Sequence, residues 1–215
     1  MITEKLIDAI AQGIRQIGQI AILPDTREAA YALCHLDDLE NLDGLEVHRD
    51  PATARDLSTW AEDGHYRFTK GELSLKSGWL MLLDDADSLR QALDLFYPAS
   101  LGLWLANESG ELEVENLRDK LNRQTGMYKF ARNINDEGAQ HLVQTVCGPA
   151  NCCVKKILWQ IDSDTPLEDS EASRFDGTLD TGRPAIPLLC REACNHFVAE
   201  CRKESKKQFE AQSKQ

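Results

Sequence analysis

The order of hydrophobic and polar positions predicts a chain that mixes helices with strands. Apolar residues at helical spacing predict an amphipathic helix over residues 2–20. A capping pattern that begins at Asp25 predicts a second helix, which runs towards His35. Asp50 followed by Pro51 has the order of an N-cap and a first helical residue, so a third helix is predicted up to about Trp60.

Further along, short apolar runs separated by glycines predict strands. These runs lie at residues 45–47, within 65–83 and at 101–106. A capped amphipathic helix is predicted from Asp87 to the residue before Pro98. Helices and strands are thus interspersed, and the predicted fold class is α+β.

The character of the sequence changes after residue 133. A helix is predicted from Asn135 to Cys147, and a second helix over the C-terminal residues from about 188. Between them, residues 153–161 form a short helix or strand, and the polar, proline-rich and glycine-rich residues 162–187 form a long loop. The sequence therefore predicts a small mixed helix and strand domain over 1–133 and a mainly helical, cysteine-rich domain over 134–215.

Composition and charge exclude several classes of protein. With 42% hydrophobic residues the chain has enough apolar material for a core, and its net charge of −12 argues against a nucleic-acid partner. Charged residues interrupt the first apolar stretch, so neither a signal peptide nor a membrane span is expected. In the reducing cytoplasm that this predicts, clustered cysteines bind metal or carry redox chemistry more often than they form disulfides.

Six of the seven cysteines lie in the last third of the chain: Cys147, Cys152, Cys153, Cys190, Cys194 and Cys201. On the predicted C-terminal helix, Cys190 and Cys194 would place their Cβ atoms about 5–6 Å apart on one face. Cys201 would lie about 10 Å further along the axis, too far to share the same centre. The Gly-Pro turn after Cys147 can fold that thiol back towards Cys152 or Cys153, which gives two thiolates from each side of the loop.

Four thiolates suit either a tetrahedral zinc ion or an iron–sulfur cluster. The sequence lacks the C-x2-C knuckles that usually gather thiolates around zinc. Its wider gaps favour a [4Fe–4S] cubane, while zinc and thiols without a metal stay open as alternatives. The sequence carries no dinucleotide, P-loop, hydrolase or zincin motif, and no catalytic residue is identified.

Several short stretches, in the same order, resemble a known family. They are HRDP (48–51), GHYRFTK (64–70), SGW (77–79), ALDLFYP (92–98), RQTGMYKF (123–130), CVKKILW (153–159) and CREACN (190–195). Over about residues 45–203 the chain resembles the accessory region of bacterial CbiX-type sirohydrochlorin cobaltochelatase-like proteins. That region is a [4Fe–4S]-binding domain preceded by a small mixed domain.

The resemblance implies a [4Fe–4S] cofactor bound by Cys147, Cys153, Cys190 and Cys194, with Cys152 as the substitute for Cys153. It implies electron transfer, redox sensing or an accessory role in tetrapyrrole or cobalamin metabolism. The chelatase module itself has no counterpart in these 215 residues. The expected partner is therefore a separate chelatase or an electron-transfer protein, and the alternative function is a zinc-stapled protein-interaction module without a redox role.

Overall fold

The computed structural model describes residues 1–58, 75–112, 115–123, 127, 134–147, 153–160, 179–191 and 193–212. The chain divides into two compact units. The first comprises Met1–Leu112 and Thr178–Leu188, and the second comprises Glu113–Gly177 and Leu189–Gln215. The boundary predicted at residue 133 lies inside the second unit, because side chains from 117 onwards already belong to its hydrophobic core.

A six-stranded sheet organises the first unit, with the strand order β4-β5-β3-β2-β1-β9. The strands β1, β2, β3 and β5 follow one another as antiparallel neighbours, and β4 and β9 add parallel edges. Their bounds are β1 (Gln16–Ile17), β2 (Ile20–Pro24), β3 (Tyr31–His35), β4 (Glu46–His48), β5 (Trp79–Leu83) and β9 (Ala185–Ile186).

Helices accompany this sheet: α1 (Ile2–Ala11), α2 (Ala54–Leu57), α3 (Ala86–Phe96) and α4 (Ser100–Glu108). The carboxylate of Asp85 accepts the main-chain N–H of Ser88 at 2.8 Å and so caps the start of α3. Across the core, the ring of Trp79 on β5 stacks on that of Phe96 on α3, with ring centroids 4.9 Å apart. This aromatic pair fixes α3 against the sheet.

The turn between β1 and β2 depends on a glycine. Gly18 has a φ of +54°, and this left-handed backbone conformation is unfavourable for any L-residue that carries a side chain. The next residue, Gln19, donates its main-chain N–H to the phenolic oxygen of Tyr97 at 3.0 Å. A Cβ atom on Gly18 would lie 2.6 Å from that same oxygen, so both the backbone and the packing require glycine here.

The second unit combines helices with two short strand pairs. Strand β6 pairs with β8 in parallel, and β7 pairs with β10. In chain order, the described elements are β6 (Glu115–Asn116), α5 (Leu117–Arg123), α6 (Asp136–Leu142), a π-turn (Val143–Cys147), β7 (Lys155–Ile157), β8 (Trp159–Gln160), β10 (Leu188–Cys190) and α7 (Asn195–Gln212).

The hydrophobic core of the second unit includes two of the thiols. Cys147 and Cys201 are buried in it, and Cys194 packs against it. Apolar side chains from α5, α6, the π-turn, β7 and α7 form the rest, among them Leu117, Leu121, Ala139, Leu142, Val143, Val146, Ile157, Phe197 and Val198. The sulfurs of Cys147 and Cys201 are therefore enclosed by hydrocarbon.

The predicted fold class is confirmed, because the described chain combines helices with a sheet whose central strands are antiparallel. The predicted strand at 45–47 and the predicted helices near 50 and 87 correspond to β4, α2 and α3. No helix in the described ranges combines the length and the apolar character needed to cross a membrane.

Three predicted elements are wrong. The helix predicted over 2–20 ends at Ala11, because Gly13 takes a φ of +114° and the chain then enters β1 and β2. The second predicted helix is replaced by strand β3, which lies between β2 and β5. The strand predicted at 101–106 is part of helix α4. Of the strands predicted within 65–83, β5 is present, and residues 59–74 lie outside the described residues.

Candidate metal centre

Strands β7 and β10 bring together cysteines from the two sides of residues 161–178, which hold most of the predicted loop and lie outside the described residues. Cys190 is the last residue of β10, and Cys153 lies two residues before β7. The main-chain N–H of Leu158 donates to the carbonyl oxygen of Cys190 at 3.0 Å. Strand pairing, which the sequence did not predict here, thus places these two thiols in neighbouring segments.

Cys194 stands immediately before helix α7. Its carbonyl oxygen accepts the N–H of Val198 at 2.9 Å, and its Sγ accepts the N–H of Phe197 at 3.4 Å. The sulfur therefore takes the position of an N-cap acceptor. Hydrogen bonds from main-chain N–H groups to cysteine sulfur are one of the features that set the properties of iron–sulfur clusters.

Cys147 is brought to the core by the π-turn. Helix α6 begins at the Asn135 side chain, whose Oδ1 accepts the N–H of Gly138 at 2.8 Å. After Leu142 the pattern changes to π, and a wider i→i+5 turn carries residue 147 round towards the same face as residue 142. The hydroxyl of Thr145 donates to the carbonyl of His141 at 2.8 Å within this bend. Cys147 is consequently buried, at 7% exposure.

Four other described thiols lie close enough to Cys147 to affect its pKa. Burial raises the pKa of the Cys147 thiol well above its usual range, and negative charge on four other thiols raises it further: Cys153, Cys190, Cys194 and Cys201. Burial also raises the pKa of Cys201 to about 12, with the charges of Cys194 and Glu200 acting in the same direction. Without a metal these two buried thiols keep their protons, so binding a metal at either releases a proton.

The donor set fits an iron–sulfur cluster. Thiolate is a soft ligand, which suits Fe–S clusters and zinc. The six described cysteines form no disulfide, so none is withdrawn from coordination by a bridge. Among the residues that the structure describes, no three His, Cys, Asp or Glu side chains are placed as ligands of one metal ion. Of the five described thiols in the second unit, two are buried and three are partly exposed, and together they do not form a site for a single metal ion.

One premise of the sequence analysis is wrong. Cys190 and Cys194 do not share a helix, because Cys190 ends strand β10 and α7 begins only at Asn195. The two thiols are still joined by a short connection, and both act electrostatically on Cys147. Cys152 lies outside the described residues. The choice of Cys147, Cys153, Cys190 and Cys194 as ligands stays a prediction.

Cys201 is the thiol that sequence reasoning set aside. It is fully buried, and it lies in the same core as Cys147. The sequence feature that points to Cys201 is its spacing of seven residues from Cys194, which places both residues on one stripe of a helix. Nearby, the Nε–H of Arg202 donates to the Sδ of buried Met127 at 3.3 Å, so the RQTGMY stretch reaches this core through its methionine.

Comparisons with known proteins match two successive parts of the chain. Residues 109–203 match the family described as a 4Fe-4S iron-sulfur cluster binding domain, and residues 4–108 match the DR2241 stabilising domain. The first match confirms the predicted cofactor, a [4Fe–4S] cluster. No curated protein matches the sequence.

Among solved structures, the chain is similar to DR2241 from Deinococcus radiodurans. The TM-score is 0.71 at 25% sequence identity, over 95% of this chain. That protein is described as a multi-domain protein with structural similarity to chelatases and with two additional novel domains. This chain spans 41% of its length.

Proposed function

We propose that this protein carries its [4Fe–4S] cluster for electron transfer or redox sensing, beside a separate chelatase in tetrapyrrole or cobalamin metabolism. The observation that carries the proposal is the convergence of thiols from the π-turn, the β7–β10 pair and the start of α7 around buried Cys147. The reducing cytoplasm is the compartment in which such thiols remain available to iron.

The proposed ligands are Cys147, Cys153, Cys190 and Cys194, with Cys152 as the substitute for Cys153. Cys147 ends the π-turn, Cys190 ends β10 and Cys194 directly precedes α7, so regular secondary structure positions these three thiols. The apolar core around Cys147 excludes water. The N–H of Phe197 is in place to donate to the thiolate of Cys194.

A cluster with four cysteine ligands supplies one-electron transfer, since every iron is then held by a protein thiolate and none is open to substrate. The chain's own contribution is to bury the sulfurs and to fix the charges around them. Both features set the reduction potential of a cluster. Substrate activation at the cluster is accordingly not part of the proposal.

The proposed partner is a CbiX-type sirohydrochlorin cobaltochelatase on a separate chain. Two observations support it: the sequence resembles the accessory region of such proteins, and the similar solved protein is itself described as chelatase-like. This chain spans 41% of that protein's length, so chelatase activity is proposed for the partner and not for these 215 residues.

The redox role is tested on protein purified without oxygen. Its visible absorption is recorded during stepwise reduction with dithionite and reoxidation with ferricyanide. Absorption that bleaches and returns at one midpoint supports the redox role. A [4Fe–4S] spectrum that stays unchanged throughout assigns the cluster a structural role and contradicts it.

The partner is tested separately, by mixing the protein with a purified CbiX-type chelatase in anaerobic size-exclusion chromatography. Co-elution, together with a changed rate of cobalt insertion into sirohydrochlorin, supports the proposal. Independent elution at micromolar concentrations with an unchanged rate contradicts this partner while leaving the redox role standing.

A further inference from the structure

A lysine is buried in the cluster-binding unit. Only 2% of the Lys120 side chain is exposed, and its Nζ lies 2.6 Å from Oε2 of Glu115. Lysine is almost never fully buried without a partner, because its charge loses hydration. A buried ion pair contributes little net stability compared with well-packed apolar residues, so such a pair invites a functional explanation.

The pair lies one strand away from the candidate ligands. Glu115 on β6 is paired in register with Trp159 on β8, and the preceding Leu158 donates its N–H to the carbonyl of Cys190. The path from Glu115 to Cys190 therefore covers two interstrand spacings of about 4.8 Å and one Cα–Cα step of about 3.8 Å. The backbones of these two residues lie roughly 13 Å apart at most.

Helix α5, which carries the lysine, also contributes to the core that contains two of the thiols. Leu117 and Leu121, which flank Lys120 on α5, belong to the same hydrophobic core as Cys147 and Cys201. Charges that act through such a core are screened by salt much less than surface charges at the same separation. Glu115 also binds the guanidinium of Arg123, whose side chain is 59% exposed.

We propose that the buried ammonium of Lys120, held by Glu115, is a fixed charge that sets the reduction potential of the cluster. The inference rests on the proposed function, since it requires a [4Fe–4S] cluster at the cysteines. Thiolate ligands give such a cluster net negative charge, and reduction adds one electron, supplied by an electron-carrier protein or by dithionite in vitro. A nearby positive charge stabilises the reduced state, and a nearby negative charge opposes it.

The test compares charge changes of opposite sign in the full-length protein, purified anaerobically. Lys120→Met removes the positive charge with little change in volume, and Glu115→Gln removes the negative charge. Lys120→Arg keeps the charge. The matched control is Lys207→Met, because Lys207 lies in the same unit and also pairs with a glutamate, Glu204, but its side chain is 73% exposed. Iron per chain and the midpoint potential are measured for each.

With the cluster retained, we expect a lower potential in Lys120→Met and a higher one in Glu115→Gln. Lys120→Arg and Lys207→Met should remain near the wild-type value. If the midpoint potentials of Lys120→Met and Glu115→Gln shift in the same direction, or if neither shifts, the proposal is overturned. A purely structural role of the ion pair would affect both variants alike. If Lys120→Met loses its iron, the midpoint potential of Glu115→Gln decides. A higher potential than in the wild type supports the proposal, and an unchanged or lower potential contradicts it.

The wild-type protein distinguishes this inference from the function on which it rests. A wild type without a [4Fe–4S] cluster overturns both. A wild type with a redox-active cluster whose potential ignores Lys120 and Glu115 overturns the inference alone.

Discussion

The carbonyl oxygen of Cys190 accepts the main-chain N–H of Leu158 at 3.0 Å, which ties a segment that follows residue 178 to one that precedes residue 161. Cys153 lies five residues before Leu158, and Cys194 lies four residues after Cys190. A single strand contact thus holds three thiols from distant parts of the sequence in one region. The ligand positions depend on strand pairing as much as on the C-terminal helix.

The first prediction concerns the ligands. Cys194→Ser should remove most of the bound iron, because serine is a poor ligand for an iron–sulfur cluster and the hydrogen bond from Phe197 would no longer reach a thiolate. Cys34→Ser is the matched control, since Cys34 is buried in the sheet of the first unit. Iron and sulfide are counted per chain after anaerobic purification. Equal retention in both variants would remove Cys194 from the ligand set.

The second prediction concerns the β1–β2 turn. Gly18→Ala combines a φ of +54° with a Cβ only 2.6 Å from the phenolic oxygen of Tyr97. The free energy of unfolding should fall by about 2–4 kcal/mol. Gly44→Ala separates the two causes, because Gly44 has a φ of +85° with nothing within 4 Å of its added Cβ.

Urea unfolding of both glycine variants measures this difference. Gly44→Ala should lose only the backbone contribution, about 1–2 kcal/mol. If both variants lose the same amount, crowding against Tyr97 does not contribute, and the packing described for this turn is wrong.

The third prediction is a pH dependence. Burial raises the pKa of Cys34 to about 12, with the charge of Asp38 adding to the effect. Because the unfolded thiol titrates near 8.5, this contribution to stability is complete below about pH 8.5 and is lost as the pH rises towards 12. Between pH 7.5 and pH 10, the wild type should lose on the order of 1–2 kcal/mol more than Cys34→Ala.

Urea unfolding at the two pH values under reducing conditions makes that comparison. The remaining cysteines titrate in both proteins, so the difference between them isolates Cys34. Parallel losses in wild type and variant would mean that the folded state tolerates the Cys34 thiolate.

The fourth prediction concerns the helix that leads to Cys147. Asn135→Ala removes the acceptor of the Gly138 N–H and should cost about 1 kcal/mol, whereas Asn135→Asp keeps an acceptor there. Since α6 runs directly into the π-turn, we also expect the alanine variant to lose its cluster faster in air. Thermal unfolding and the decay of visible absorption measure the two effects, and identical behaviour of the two variants would contradict the cap.

Local signals predicted some elements well. The apolar spacing of α3 is legible in the sequence, although its cap is Asp85 and not the predicted Asp87. Asp50 accepts the N–H of Ala52 at 2.9 Å, as its position before Pro51 suggests. Strand β3 was mistaken for a helix because short apolar runs fit both structures, and its pairing with β2 and β5 decides the outcome. The apolar run at 101–106 also fits both structures, so a strand is predicted where the chain forms helix α4.

The candidate site shows the same limit. The cysteine clustering favoured the cofactor, since six of the seven cysteines lie in the last third of the chain and their gaps are wider than those of zinc knuckles. The arrangement of Cys190 and Cys194 was mistaken, because their four-residue spacing fits a helix while the β7–β10 pairing overrides it. Buried Lys120 and Cys201 were not predicted as parts of this region, because burial depends on contacts between distant segments.

The most direct test of the central claim is the content of iron, acid-labile sulfide and zinc per chain, with the visible spectrum, in protein purified without oxygen. The account predicts four irons and four sulfides, with broad brown absorption that bleaches on reduction. Colourless protein with one zinc per chain would contradict it and would make the cysteine centre a structural staple.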